Sequence, residues 1–153
     1  LMNLCNNQAQ QYFCQMNQAQ PVQQVQQVQF DPMETAKDFC NRYYHNMANQ
    51  GFPGVLNLFD PNASCNYSGV EHKGLYSVMV DLASNGICKT VYDNLQFVVL
   101  PIDQQHICIH ATGLVKGLTF WNQYTAQYIF TEVFILSYVN NRVAVTSYVN
   151  KLI

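Results

Sequence analysis

Two carboxylates interrupt otherwise apolar alternation. In 91–99 the odd positions are Val91, Asp93, Leu95, Phe97 and Val99; in 128–138 the even positions are Tyr128, Phe130, Glu132, Phe134, Leu136 and Tyr138. A strand period of two puts Asp93 and Glu132 on those apolar faces. A carboxyl held among apolar side chains is desolvated, and its pKa rises toward the range a general acid or base needs. Such a pair could take a proton from one carbon of a small molecule and return it to another, as an isomerase or lyase does. The structural alternative places Asp93 at a strand end and satisfies Glu132 with a tyrosine hydroxyl or with Arg42. A perturbed carboxyl serves either purpose.

His106, Cys108 and His110 alternate along another apolar run. Neighbours two apart could share a ligand, but four residues of strand span roughly 13 Å. No zinc spacing is present, so neither a metal nor another cofactor is expected. No recognised motif assembles a Cys-His-Asp nucleophilic set. The six cysteines are scattered without a CxxC, which favours reduced, mostly buried thiols.

The elements that must position these groups are legible from periodicity. HICIHATGLVKG, AQYIFTEVFILSYV and RVAVTSYVNKL are rich in the β-branched and aromatic residues of strands. Asn140-Asn141 between the last two predicts a tight hairpin, because Asn tolerates positive φ. Upstream, Asp31-Pro32-Met33-Glu34 is a helix start, with Asp as cap, Pro at the first helical position and Glu in the first turn. Ala36, Phe39, Cys40, Tyr43, Tyr44 and Met47 follow on one helical face. A short helix is expected over Pro53 to Phe59, a strand over Ala63 to Tyr67, a helix over Leu75 to Ala83 and a strand over Ile87 to Leu100. The fold class is α+β, with helices on one face of an antiparallel sheet.

Residues 1–30 contain no Asp, Glu, Lys or Arg and are dominated by Gln, so a flexible or loosely docked segment is expected before a domain at 31–153. Charged residues make up 10% of the chain, against roughly 25% in an ordinary soluble protein. The net charge is −2 with no basic stripe, which argues against direct nucleic-acid binding. There is no run of about 18 apolar residues, so no membrane span is expected, and the opening residues lack the pattern of a secretory leader.

Several stretches resemble the nuclear transport factor 2-like family: AKDFCNRYYHNM with GVLNLFDPNASC, then HKGLYSVMVDLAS, IDQQHICIHATGLVKG, FTEVFILSYV and VTSYVNKLI. The similarity covers 31–153 and is one of spacing. It implies a cone-shaped, strongly curved antiparallel sheet packed by three helices, with a pocket inside and a dimer face outside. The family includes transport factors and scaffolds, and also enzymes such as ketosteroid isomerase and scytalone dehydratase. The aromatic first helix and the FTEVFIL strand are closer to the transport and scaffold branch. That branch carries acidic residues for Ran where this chain reads Ser68-Gly69 and Gly117-Leu118-Thr119, which argues against Ran as a partner.

The resemblance places Cys108, His110, Thr112, Val133, Ile135 and Val149 on a face that pairs with a second copy or a similar domain. The expected function is a non-enzymatic dimeric module in nucleocytoplasmic transport or ribonucleoprotein assembly, in the cytoplasm and nucleus. It would hold Phe-containing peptides, such as the Phe-Gly repeats of nucleoporins, in a groove walled by Phe39, Tyr43 and Phe59. Phe120 and Trp121, at a hairpin tip, are expected to meet a partner, because aromatic side chains anchor interfaces. The alternative is a small-molecule isomerase or lyase using Asp93 and Glu132.

Overall fold

The structure, a computed structural model, describes residues 30–153. The expectation for the Gln-rich segment therefore lies outside the described residues. The Asp31 carboxylate accepts from the amides of Met33 (3.1 Å) and Glu34 (3.3 Å). Those are two of the donors that a helix start leaves orphaned. Helix α1 (Pro32–Gln50) then buries Ala36, Phe39, Cys40, Tyr43 and Met47, while Lys37, Asp38, Asn41, Arg42 and His45 face water. Gly51, at φ +70, ends it.

In place of the expected short helix, the chain makes two 3₁₀ turns, Phe52–Gly54 and Leu56–Leu58. Few residues separate Gly51 from the next strand, and i→i+3 closure is what such short pieces adopt. Phe52, Val55 and Phe59 are still buried. There follow β1 (Phe59–Tyr67), β2 (Val70–Lys73), α2 (Leu75–Ser84), β3 (Ile87–Pro101), β4 (His106–Thr119), β5 (Tyr128–Val139) and β6 (Arg142–Leu152).

The strands form one curved, open sheet in the order β2-β1-β6-β5-β4-β3. The β1–β6 pair is parallel, so the sheet is mixed rather than wholly antiparallel as expected. A hairpin sets its own direction, but the meeting of β1 with β6 is set by the path of everything between them. Strand β2 has no apolar alternation and was not expected. Ser68 (φ +51) and Gly69 (φ +86), read in the sequence as the end of a strand, are the tip of the β1–β2 hairpin. Asn140 (φ +55) and Asn141 (φ +58) make the expected tight turn between β5 and β6.

The inner face of the sheet is marked by Ile107, Ile109, Ala111 and Val115 on β4, and by Phe130, Glu132, Phe134 and Leu136 on β5. A bulge between Asp93 and Gln96, with Asn94 at φ +51, resets β3. Tyr92 lies inward opposite Val115 and Asp93 outward opposite Leu114; beyond the bulge Gln96 is outward opposite Thr112 and Phe97 inward opposite Ala111. The extra residue breaks the period of two. Among the described residues no helix is long and apolar enough to cross a membrane.

Gly74 joins β2 to α2 at φ +80, and a methyl group there would stand 2.5 Å from the Pro61 carbonyl oxygen. Gly69 also has positive φ, but a methyl there meets nothing within 4 Å. Gly74→Ala is expected to cost more than about 1 kcal/mol, and Gly69→Ala less, because backbone strain and backbone collision add at the first site alone. Urea unfolding midpoints of the two variants measure the difference.

Candidate functional site

Glu132 sits in the middle of β5, opposite Ala111 on β4 and Asn150 on β6. It has no exposed surface. A buried ionised carboxylate costs several kcal/mol unless donors surround it, and here the donors are tyrosines. The Tyr44 hydroxyl, from α1, donates to Oε1 at 3.2 Å. The Tyr148 hydroxyl, from β6, donates to Oε2 in a short bond. Tyr92, from β3, and Asn150 complete the polar surroundings. Arg42 takes no part, since it pairs with Asp38 at 3.2 Å on the exposed side of α1.

Burial pushes the Glu132 carboxyl from 4.5 up to about 7, against the opposing pull of the bonds from Tyr148, Tyr92, Tyr44 and Asn150. Burial, reinforced by the Glu132 charge, also raises Tyr43, Tyr44, Tyr92 and Tyr148 well above 10, so the phenols stay protonated donors. Among the described residues the Tyr43 hydroxyl and the Asn150 Oδ1 are buried without a partner in hydrogen-bonding geometry. Apart from them the surroundings are rings. Phe134 lies with centroids 5.0 Å from Phe39, 5.0 Å from Tyr43 and 5.1 Å from Tyr148; Tyr92 lies 5.1 Å from Phe130.

The structure separates the two predicted carboxylates. Asp93 is exposed, outside the sheet, and its Oδ1 accepts from the Asn94 amide at 2.8 Å within the bulge. It cannot share a substrate with Glu132, because the sheet lies between them. The predicted peptide groove is corrected as well. Phe39 (6% exposed), Tyr43 (0%) and Phe59 (3%) are core residues, packed on each other and on Phe134. The same helical stripe that suggested a groove wall is consumed by the contact of α1 with the sheet.

Cys108, His110, Thr112, Val133, Ile135 and Val149 share the outer face, His110 opposite Val133 and Val133 opposite Val149. His110 Nε2 lies 2.5 Å from the Thr131 hydroxyl on the same face. Two residues not predicted join them. Val98 (64% exposed) lies opposite His110, and Leu100 (62%) opposite Cys108. Beyond the bulge they alternate outward with Phe97 inward, as a period of two dictates. Phe120 (63%) and Trp121 (64%) are exposed at the β4–β5 tip, where the Trp121 ring lies over Gly86 and Lys116 stands 4.2 Å above Tyr124.

No protein-family model and no curated protein sequence matches the chain. Solved structures do. Nuclear transport factor 2 from Cryptosporidium parvum is 16% identical with a TM-score of 0.63, over 80% of this chain and 94% of that one. A nuclear transport factor 2-like superfamily protein from Salmonella enterica serovar Typhimurium is 9% identical with a TM-score of 0.63, over 78% and 89%. A hexachlorocyclohexane dehydrochlorinase is 11% identical with a TM-score of 0.62, over 78% and 84%. At these identities the likeness is one of fold: the chain has the nuclear transport factor 2-like fold, which carries both transport factors and enzymes.

The raised carboxyl makes stability depend on pH. Below 4.5 the group is protonated whether folded or unfolded and costs nothing. Between 4.5 and about 7 the unfolded chain ionises while the folded one does not, so stability falls as pH rises; above about 7 the loss is constant. The span corresponds to about 3 kcal/mol. Glu132→Gln is expected to flatten this slope and to be the more stable protein at pH 8, as urea unfolding at pH 5 and pH 8 would register.

Proposed function

We propose that the chain is a protein-binding module that pairs with a second copy of itself through the outer face of its sheet. The observation that carries this reading is the apolar outer surface around Val98, Leu100 and Val149, which are 64%, 62% and 42% exposed. Cys108 on β4 and Val133 and Ile135 on β5 continue it between β3 and β6. Contiguous apolar surface of this kind is unusual on a monomer. One such patch offered to its own copy makes a closed two-fold contact. His110 Nε2 already has Thr131 within hydrogen-bond distance inside the protomer.

The interior supports a catalytic reading less well. Glu132 has no exposed surface, and its supposed partner Asp93 is on the other side of the sheet. Phe-containing peptides, the ligand class of the transport branch, would be met by Phe120, Trp121 and Tyr124, which are exposed, rather than by buried Phe39, Tyr43 and Phe59. The setting would be nucleocytoplasmic transport or ribonucleoprotein assembly, in the cytoplasm and nucleus.

Sedimentation velocity at tens of micromolar is expected to give twice the 17.5 kDa chain mass. The double variant Val98→Asp, Val149→Asp should sediment as a monomer with unchanged circular dichroism, since both side chains are outside the core. A monomeric native chain would sink the proposal. Trp121→Ala should remain dimeric while losing affinity for a Phe-Gly peptide by tenfold or more, as loss of an aromatic anchor does.

A further inference from the structure

We propose that Ser77, His72 and Asp81 form a serine nucleophile with its base and orienting acid, able to hydrolyse small esters at a site apart from both faces of the sheet already described. The three residues come from β2 and α2, joined by the sharp turn at Gly74. Ser77 and Asp81 are one helical turn apart on α2, and so lie on one side of it. His72 reaches back from β2 to meet both. Its Nδ1 lies 2.8 Å from the Ser77 Oγ, and its Nε2 lies 3.7 Å from the Asp81 Oδ2. A hydroxyl at one imidazole nitrogen and a carboxylate at the other is the arrangement by which this chemistry is recognised, whatever the chain order.

Two further observations fit a working site better than a packing contact. The His72 side chain is only 9% exposed, yet its Nε2 has no hydrogen-bond partner among the described residues. Buried polar atoms are for the most part hydrogen-bonded, so this unpartnered nitrogen calls for a reason. Asp81, 52% exposed, stands just beyond bonding reach, and such contacts tighten when substrate binds. The second observation concerns α2 itself. Gly74 supplies no side-chain cap, so the first-turn amides at Leu75, Tyr76 and Ser77 keep donors for a developing oxyanion beside the nucleophile. Exposed Tyr76 (64%) marks the approach from solvent.

The chemistry balances without a cofactor. Ser77 Oγ adds to the ester carbonyl carbon while its proton passes to His72 Nδ1. The bond from that carbon to the leaving oxygen breaks, and the leaving oxygen takes the proton from His72. Water then adds to the Ser77 acyl group with His72 as base, releasing the carboxylic acid and restoring the hydroxyl. With the 3.7 Å contact closed on substrate binding, Asp81 accepts the Nε2–H and stabilises the transient imidazolium.

The test uses the full chain with p-nitrophenyl acetate and a fluorophosphonate probe. Intact mass and peptide mapping should find one adduct, on Ser77. Ser77→Ala should abolish the adduct and lower esterase turnover about 100-fold or more, the usual range for losing such a group. Asp81→Asn, at a half-exposed position, should fold normally and slow labelling about tenfold or more. An unlabelled native chain, an adduct that persists in Ser77→Ala, or labelling of Asp81→Asn at the native rate would each overturn the proposal. Dimer formation is read separately by sedimentation, so failure here leaves the pairing of copies untouched.

Discussion

A carboxyl group without contact with water has to find its partners inside the protein, and at Glu132 that requirement ties four elements together. Tyr44 comes from α1, Tyr92 from β3, Tyr148 and Asn150 from β6, and the acid itself from β5. Their rings also fill the interior, so the polar centre and the apolar core are one body. An aromatic side chain with a hydroxyl suits this position, since it contributes area to packing and a donor to the acid. The cost remains visible in the raised carboxyl and, among the described residues, in the two buried groups without a partner in hydrogen-bonding geometry.

The bulge at Asp93–Gln96 has an effect out of proportion to its length. By inserting a residue it carries Asp93 out of the interior and sends Phe97 in, where its ring lies 5.5 Å from that of Tyr44. Val98 and Leu100 alternate with Phe97 and so lie outside. A two-carboxylate interior is thereby excluded by one local change of register. Asn suits the position because it tolerates the positive φ there.

Inner and outer faces of the sheet consequently divide the chemistry. The inner one buries its acid completely. The outer one is apolar and exposed around Val98, Leu100 and Val149. The β2–α2 unit stands to one side, where a turn that admits glycine folds His72 back against Ser77 and Asp81.

The sequence by itself determined what is periodic or punctuated. The cap at Asp31, the buried stripe of α1, the Asn140-Asn141 hairpin, the long strands and the α+β class all follow from residue types at short separations. The buried position of Glu132 was legible in the same way, as an acid on an apolar face, and a tyrosine hydroxyl was one of its foreseeable partners. The tertiary structure alone decided that the partners were Tyr44 and Tyr148, that β1 lies parallel to β6, that Phe39, Tyr43 and Phe59 close on each other instead of lining a groove, and that His72 meets Ser77. Periodicity reports which way a side chain points from its own backbone. What it then touches depends on where distant segments arrive, and a single bulge or crossover reassigns it.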